Sequence, residues 1–304
     1  MRVAITGGTG FVGRHVAKRF APEDVVAVSR RTGVDVDDAE ALARAFEGCD
    51  VVVHCAGINR EIGTQTFQRV HVDGTASVIA AANHAGVRKI VMLSFLRARA
   101  DCGSGYHESK WAAEELIRDS GLDFTILKAS MIYGHGDHLV DHLSRTVQTI
   151  PLFPTVGVRE RPIRPIPIGD LVDVVLAAVA GRLSRATVAV TGAEQLLLSE
   201  TVRRVARVVG RRVFVFPAPV WAHYIFAQVF EWTMTVPLLA KAQVRMLAEG
   251  VVEAWPPASE LPDDLVPRTA FTEEQIRLAL PERGGFGFCD LRISRRPSAD
   301  ASIL

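Results

Sequence analysis

The feature that most constrains this chain is a glycine-rich turn placed directly after its first apolar strand. Residues 2–20 read RVAITGGTGFVGRHVAKRF, with an apolar run before the turn and helical spacing of apolar residues after it. Gly7 permits a tight turn, Gly10 lets the backbone approach a pyrophosphate, and Gly13 lets the helix pack closely on the strand. The N–H groups at the start of the helix would bind that anion. A glycine triplet alone is a weak signal, but this position predicts a dinucleotide-binding unit.

The end of the second predicted strand bears on which dinucleotide binds. Residues 25–28 read VVAV and are followed by Ser29, Arg30 and Arg31. A site for NAD usually places an acidic residue here to bind the ribose 2′-hydroxyl, whereas guanidinium groups match the 2′-phosphate of NADP. A solvated turn is the structural alternative. With the glycine turn upstream, the arginine pair favours NADP over NAD as the cofactor.

Strand and helix patterns alternate through residues 1–190. Residues 33–38 leave room for only a very short third strand, and residues 51–57 are typical of a fourth strand that ends in small residues. Further strands are predicted at 89–94, 124–128 and 188–191, with helices at 39–46 and 73–85. The alternation predicts an α/β fold, with a Rossmann-type, doubly wound parallel sheet and right-handed connections.

The best candidate for catalysis is YHESK at residues 106–110, which opens a predicted helix. Tyr106 and Lys110 are four residues apart and therefore share one helix face. A phenol is a poor acid–base group at neutral pH, and a nearby ammonium would move its pKa toward the working range. Ser94, at the end of a predicted strand, would donate to the oxygen of a carbonyl or alcohol. The alternative is a packed ring beside a solvated lysine, which is common for this spacing; the order of the motifs favours catalysis.

Together these motifs resemble the short-chain dehydrogenase/reductase superfamily, in its extended or atypical branch, whose members include NAD-dependent epimerases and dehydratases. The strongest similarity is to the subgroup of the dehydrogenase-like accessory subunit of complex I and its bacterial relatives. The resemblance covers about residues 1–280 and is specific to about residue 175. The matching pieces are TGGTGFVG (6–13), HCAG (54–57), VHVDGT (70–75), VMLSF (91–95), YHESK (106–110), DFTILKASMIYG (123–134), PLFP (151–154) and PIPIGDLVDVV (165–175).

The resemblance implies a set of site residues. Arg30 and Arg31 would bind the 2′-phosphate, Asp35 and Val36 the adenine, and Lys110 the nicotinamide ribose. Ser94, Tyr106 and Lys110 would form the catalytic set. The residues implied around the pyrophosphate and along the ribose–nicotinamide stretch are Gly7, Thr9, Gly10, Phe11, Val12, Gly13, Ala56 and Gly57.

Three features depart from the family pattern. His71 stands where members usually have Asn. Lys128 and Ala129 replace the common Arg-Pro that bounds the nicotinamide pocket. The region between the second and third predicted strands, which contains Asp35, is short.

The chain is long enough for a large domain and a smaller lobe. We predict a dinucleotide-binding domain at 1–190, whose loop-rich part at about 131–168 contributes to the lobe. A smaller, helical substrate lobe follows at 191–282, and a mobile tail at 283–304. Within the lobe, residues 213–230 carry no charged side chain and many aromatic ones. These aromatics either bind an apolar substrate, make a peripheral contact with a membrane or a larger complex, or build the core of the lobe.

Composition and charge restrict the remaining function classes. Lys plus Arg is 35 and Asp plus Glu is 34, so no basic face for nucleic acid is expected. The four cysteines have no metal-ligand spacing, which favours a reducing compartment, and a cytoplasmic location is expected. His135, His138 and His142 lie close in sequence, but the sequence favours a surface loop over a metal site here. The oligomeric state is left open.

Two classes of function remain beside the first hypothesis of an NADP-dependent oxidoreductase acting on an apolar carbonyl or alcohol. The protein could instead hold NADP(H) without turnover, as an accessory or assembly subunit or a redox sensor. It could also perform sugar-nucleotide epimerase or dehydratase chemistry on the same scaffold. The presence of Ser94, Tyr106 and Lys110 favours an enzyme, because a protein that only binds the cofactor needs no acid–base pair.

Overall fold

The computed structural model describes residues 1–233, 241–282 and 284–286. The predicted tail at 283–304 lies outside the described residues except at 284–286, and the aromatic segment is described only up to residue 233 and from 241 onward.

In chain order the strands are β1 (Val3–Thr6), β2 (Val25–Val28), β3 (Val51–His54), β4 (Lys89–Phe95), β5 (Asp123–Ala129), β6 (Ile132–Tyr133), β7 (Leu152–Val156), β8 (Ile166–Pro167), β9 (Ala186–Val190) and β10 (Phe214–Ala218). The α-helices are α1 (Phe11–Ala17), α2 (Ala39–Phe46), α3 (Gly74–His84), α4 (Gly105–Arg118), α5 (Leu139–Thr149), α6 (Ile168–Val179), α7 (Leu198–Val208), α8 (Val220–Thr233), α9 (Lys241–Glu249) and α10 (Glu273–Ala279).

These elements form two compact units. The first contains Met1–Ala129, Ile168–Val190 and Glu253–Pro267. The second contains Ser130–Pro167, Thr191–Val252 and the described residues from Arg268 onward. No described helix is both long enough and apolar enough to cross a bilayer.

The first unit is built on a six-stranded sheet in the order β2-β1-β3-β4-β5-β9, with every pairing parallel. All residues of β1 and β3 are buried, as expected for parallel strands covered on both faces. The chain leaves β1 toward β2 on one side and later toward β3 on the other. This reversal confirms the doubly wound α/β prediction, and it creates a switch point beyond the carboxyl ends of β1 and β3.

The predicted short third strand is wrong. The hydroxyl and main chain of Ser29 cap a 3-10 turn at Arg30–Thr32, and Thr32 completes a capping box. The backbone then turns at Gly33, with φ of +85°, and Asp38 caps α2. The turn and the cap use the whole connection, so β2 is the edge of the sheet and the predicted fourth strand is β3.

The core of the first unit is formed by α2, α3 and α4, which pack in series over the sheet. Leu42, Phe46 and Ile117 are fully buried in this cluster. Burial of each such side chain stabilises the fold by about 1.5–3 kcal/mol. Helices α1 and α6 pack on each other and complete the helical layers. This packing holds the carboxyl ends of the strands, and the loops after them, in place.

Residues 253–267 belong to the first unit, whereas the sequence assigned them to the lobe. The main chain of Ser259 pairs with the edge strand β9, since Ala189 N–H donates to its carbonyl at 3.1 Å. Trp255 N–H donates to the Leu96 carbonyl at 3.1 Å, and Arg182 forms a bidentate ion pair with Asp264. These long-range contacts have no local signature in the sequence.

The second unit contains two short parallel ladders, β7 with β10 and β6 with β8. Helices α5, α7 and α10 enclose its main core, in which the rings of Tyr133 and Phe271 lie edge to face at 4.8 Å. Helices α8 and α9 form a separate pair, joined by a smaller apolar cluster.

Candidate active site

The glycine turn joins β1 to α1 through main-chain approaches that leave no room for side chains. Gly7 has φ of +67°, and a Cβ there would lie 2.8 Å from the Ala56 nitrogen. A Cβ on Gly13 would lie 2.3 Å from the Gly7 oxygen. The Gly10 N–H donates to the Gly7 carbonyl at 2.9 Å. The turn therefore has the close backbone geometry that a dinucleotide-binding turn requires.

The other predicted residues of the turn differ in burial. Val12 is buried on the inner side of α1, where it fixes the helix to the sheet. Phe11 is partly exposed, and its ring lies edge-on to His15 at 5.2 Å. The Thr9 hydroxyl donates to the Ser29 hydroxyl at 3.0 Å. This last bond ties the glycine turn to the end of β2.

The structure thereby brings the arginine pair beside the glycine turn. Arg30 and Arg31 lie on the 3-10 turn that Ser29 caps, and both are exposed. Two cationic side chains at this place are chemically suited to a 2′-phosphate.

The predicted adenine residues are both engaged within the protein. Asp35 accepts from the Val36 N–H at 2.8 Å and from Arg69 at 3.3 Å, and Arg69 also pairs with Asp37 at 2.5 Å. The hydrogen bond from Arg69 lowers the pKa of Asp37. The Val36 side chain lies against Gly74 at the start of α3, where an added Cβ would approach it to 2.8 Å. These contacts order the loop after β2.

The end of β3 meets Lys110, which the sequence predicts to be catalytic. Ala56 lies against Gly7, and a Cβ added to Gly57 would lie 3.0 Å from Lys110 Nζ. Lys110 Nζ also donates to the Leu93 carbonyl at 3.2 Å. The structure thus brings together the glycine turn, the small residues after β3 and Lys110.

Tyr106 stands in the first turn of α4, which Ser104 caps. Its ring is 8% exposed and lies edge-on to the rings of Phe67, His71 and Phe95, at centroid distances of 5.6 to 5.7 Å. The Tyr106 hydroxyl forms no hydrogen bond with a residue that the structure describes. It is a buried ring with a proton donor that a ligand can use.

The electrostatics of this pair differ from the expectation. Burial raises the pKa of Tyr106 above its usual value, so the lowering expected from Lys110 does not prevail. Burial also lowers the pKa of Lys110 to about 8, an effect partly offset by charges on Cys55 and Glu114. The protein without ligand therefore keeps Tyr106 as a phenol, while Lys110 is easily deprotonated.

Ser94 is the predicted catalytic residue that the structure does not bring to this site. Its hydroxyl donates to Glu114 Oε1 at 2.5 Å inside the protein. Ser94 and Phe95 both contact α4, but Ser94 reaches Glu114, two turns along the helix from Tyr106, and Phe95 lies against Tyr106.

Glu114 is the centre of a buried polar cluster that sequence analysis missed. It is fully buried and binds Lys128 Nζ at 3.2 Å and Arg118 at 2.8 Å, in addition to Ser94. Lys128, noted above only as a departure from the family pattern, also donates to the Ala98 carbonyl at 2.9 Å. The cluster satisfies its own charges, and it holds α4 to β4 and β5.

His71 is a further site residue whose role the sequence did not reveal. It lies in a π-helical segment, Gln68–Asp73, that leads into α3. The Ile58 N–H donates to His71 Nε2 at 3.0 Å, so Nδ1 carries the proton and donates to Ser109 Oγ at 2.8 Å. Ser109 in turn donates to the Tyr106 carbonyl at 3.1 Å. Burial, with the charge of Lys110, lowers the pKa of His71 well below its usual value.

A second buried histidine connects this network to the glycine turn. The Thr75 hydroxyl donates to the His71 carbonyl at 2.5 Å, so its oxygen accepts from His54 Nε2 at 3.0 Å. His54 Nδ1 then accepts from the hydroxyl of Thr6, the residue before Gly7, at 2.6 Å. Burial lowers the pKa of His54 to about 3. Two neutral histidines therefore link β1, α3 and α4.

Comparisons with known proteins agree with this geometry. Residues 7–145 match a family described as NAD(P)H-binding. A ceramide reductase of Caulobacter vibrioides is 31% identical over 175 residues, which are 52% of this chain and 55% of that protein. The mitochondrial NADH dehydrogenase (ubiquinone) 1 alpha subcomplex subunit 9 of Dictyostelium discoideum is 26% identical over 194 residues, 57% of this chain and 54% of that protein. The chain thus spans about half the length of these two relatives.

Among solved structures, MoeE5 in complex with UDP-glucose and NAD superposes with a TM-score of 0.67 at 19% identity. The superposition covers 92% of this chain and 97% of MoeE5. At this level of identity the likeness establishes the fold alone. The chain therefore has a Rossmann-type fold, and its residues 7–145 are similar to an NAD(P)H-binding family.

Proposed function

We propose that the protein is an NADP(H)-dependent oxidoreductase that interconverts an apolar carbonyl compound and its alcohol. The observation that carries this proposal is the placement of Tyr106 and Lys110 on one face of α4, with Lys110 against Gly57. Ligands of a doubly wound sheet bind beyond the carboxyl ends of the strands at the switch point, and Gly57 follows β3 at that edge. The nicotinamide end of the dinucleotide would therefore bind within reach of this pair.

The proposed acid–base chemistry follows from the charge states of the two residues. A bound nicotinamide supplies or accepts the hydride. Because burial raises the pKa of Tyr106, its hydroxyl is protonated at neutral pH and can donate a proton to the carbonyl oxygen as that oxygen gains charge. Lys110, with a pKa of about 8, can then return a proton to the phenolate. This order of events favours reduction of the carbonyl.

The Tyr106 assignment is tested by the variant Tyr106→Phe, which removes the proton donor and keeps the ring. We expect kcat/KM for carbonyl reduction to fall by about a hundredfold or more, with little change in NADPH affinity. Tyr133→Phe, which removes a hydroxyl from the core of the second unit, is the matched control and should leave both values nearly unchanged. If activity survives in Tyr106→Phe, the assignment is wrong.

The preference for NADP rests on Arg30 and Arg31, which end β2 beside the glycine turn. A charge-assisted bond to phosphate contributes about 1.5–3 kcal/mol, so Arg30→Ala should weaken NADPH binding by about tenfold or more and leave NADH binding nearly unchanged. Fluorescence titration of both nucleotides measures this, with the exposed Arg44→Ala as control. Equal affinities for NADPH and NADH in the unaltered protein would contradict the preference.

An apolar substrate is supported by two observations. The relative with 31% identity is named as a ceramide reductase, which is an enzyme of a long-chain lipid. Residues 213–230 of this chain carry aromatic side chains and no charge. A substrate screen should therefore compare long-chain ketones with short polar ones, and should include UDP-sugars, because the epimerase alternative predicts their turnover.

A second candidate function is the tight binding of NADP(H) without turnover. The observation that favours it is the pair Ser94 and Phe95: the hydroxyl is bound to Glu114, and an apolar ring occupies the side facing Tyr106. The relative that is a subunit of NADH dehydrogenase belongs with this candidate. A nucleotide that co-purifies and stays bound, together with no turnover in the whole screen, would establish it over the oxidoreductase.

A further inference from the structure

Helix α8 is oriented with its large apolar side chains outward. Trp221, Ile225, Val229 and Trp232 recur at the spacing of one helix face, and their exposed fractions are 67%, 56%, 43% and 69%. Phe226, beside them, is 50% exposed. A helix of a globular protein normally buries such a stripe, so an exposed one indicates an interaction surface.

The opposite face of α8 is the one that packs on the protein, through Ala227 and His223 together with the partly buried Val220 and Tyr224. Ala227 is fully buried in a cluster with Val156 and Val244. His223 is 2% exposed, with its ring nitrogens against the carbonyls of Pro219 and Pro154 at 3.2 and 3.3 Å. These contacts fix the rotation of the helix, so the aromatic stripe is held outward.

The β7–β10 ladder that precedes α8 extends the apolar surface. Phe214 and Leu152 are partners in register and are 66% and 51% exposed. Val158, which follows β7, is 76% exposed. We use the name aromatic face for Leu152, Val158, Phe214, Trp221, Ile225, Phe226, Val229 and Trp232.

Charge at the border of the aromatic face indicates what covers it. Residues 213–230 contain no Asp, Glu, Lys or Arg. Arg211 and Arg212 come directly before them and are exposed. Lys241, at the start of α9, donates a hydrogen bond to Gln228 of α8 and therefore lies beside this helix. An uncharged aromatic stripe bordered by cations is typical of a segment that lies in the interface of an anionic bilayer.

We propose that the aromatic face docks on an anionic lipid bilayer, with α8 lying in the headgroup region. The described part of the helix has 14 residues, fewer than the roughly 20 that span the hydrocarbon core. Glu231 directly follows the uncharged run, but Arg211, Arg212 and Lys241 outnumber it at the border. A twofold contact between two copies through this face would oppose these net cationic borders, which disfavours a second copy as the occupant. The proposal does not depend on the proposed reaction, although a bilayer would be a source of apolar substrate.

The test uses the full chain and two kinds of vesicle, phosphatidylcholine alone and phosphatidylcholine mixed with phosphatidylglycerol. We expect flotation with the mixed vesicles, weaker flotation with the neutral ones, and loss of binding to the mixed vesicles as salt rises. The tryptophan emission should shift to shorter wavelength as Trp221 and Trp232 enter the interface.

Two variants and a control assign the effect to α8. Trp221→Ser combined with Val229→Ser should weaken vesicle binding by about tenfold or more, because both side chains would leave the interface. Arg211→Gln combined with Arg212→Gln should weaken binding to mixed vesicles and remove the dependence on salt. Trp255→Ser, which changes a tryptophan of the first unit that is 55% exposed, should bind as the unaltered protein does.

Three results would overturn the proposal. The first is no flotation with mixed vesicles at low salt, and the second is equal binding by the Trp221→Ser, Val229→Ser protein once thermal unfolding shows it to be folded. The third is a dimer of the unaltered protein that these substitutions convert to a monomer, which would make a second copy the occupant. NADPH titration of the same proteins measures cofactor binding independently of vesicle binding, so a failure of this proposal can be distinguished from a failure of the proposed reaction.

Discussion

Aromatic rings surround Tyr106 in the part of the chain that the structure describes. Phe67, His71 and Phe95 contact its ring edge-on, and its hydroxyl has no hydrogen-bond partner among the described residues. An aromatic enclosure excludes water and keeps the phenol neutral, which suits a proton donor to a carbonyl oxygen. Because the Ser94 hydroxyl is bound to Glu114, Tyr106 is the one of the two predicted hydrogen-bond donors that remains for the carbonyl oxygen of a substrate.

Ser94→Ala distinguishes a structural role of this residue from a catalytic one. The change removes one hydrogen bond to Glu114, which keeps Lys128 and Arg118 as partners, so we expect the free energy of unfolding to fall by about 1 kcal/mol. Urea denaturation measures this loss, and kcat/KM should stay within about twofold of the unaltered protein. A fall in kcat/KM as large as that of Tyr106→Phe would show that Ser94 reaches the substrate after all.

At the scale of elements, the β1–α1 unit depends on the absence of a side chain at Gly13. A methyl group there would lie 2.3 Å from the Gly7 oxygen, so α1 or the turn must move in Gly13→Ala. We expect the free energy of unfolding to fall by about 2–3 kcal/mol, as for overpacking of a core, and NADPH binding to be lost. Gly169→Ala in α6 is the matched control, because its methyl group meets nothing within 4 Å. Helix propensity predicts that this control is stabilised, by up to about 1 kcal/mol.

The elements that the sequence predicted well are those whose pattern is local. The strand–glycine–helix unit, the buried runs of β3 and β4, and the helix of Tyr106 and Lys110 each have a complete signature within a few residues. The position of Ser94 at a strand end predicts a site residue, but its hydroxyl is bound to Glu114, a partner that no local pattern around Ser94 indicates. The third strand failed because Ser29 and Thr32 form a capping box that only the backbone reveals.

At the scale of the whole molecule, the division of the chain depends on contacts between residues far apart in sequence. Residues 253–267 join the first unit through β9, Leu96 and Arg182, and nothing in their own composition indicates these partners. The histidine network has the same character. His54 and His71 are 17 positions apart, and the hydroxyls that form hydrogen bonds with them come from β1, α3 and α4.

This network makes the stability of the protein sensitive to acid. His54 has a pKa of about 3 in the folded protein against 6.5 in its usual environment, and the pKa of His71 is also lowered. Between these values the two histidines bind more protons in the unfolded chain than in the folded one, so their contribution to stability is complete above pH 6.5 and falls as the pH drops. Burial raises the pKa of Asp137 to about 7, and this carboxyl has the opposite effect between that pH and its usual value of 3.8. Each histidine contributes a slope of about 1.4 kcal/mol per pH unit well below that value. Urea titrations between about pH 6.5 and 4.5 measure this slope in a range where most carboxylates are still ionised.

His54→Gln isolates one of the two contributions. Glutamine keeps an acceptor for Thr6 and a donor for Thr75 but has no proton to gain, so the slope of unfolding free energy against pH should fall by about 1.4 kcal/mol per pH unit. His84→Gln, at the exposed end of α3, serves as the control and should leave the slope unchanged. An unaltered slope in His54→Gln would mean that His54 is already protonated in the folded protein. The hydrogen bond between Thr6 and His54 would then run the other way, with His54 Nδ1 donating to the Thr6 hydroxyl.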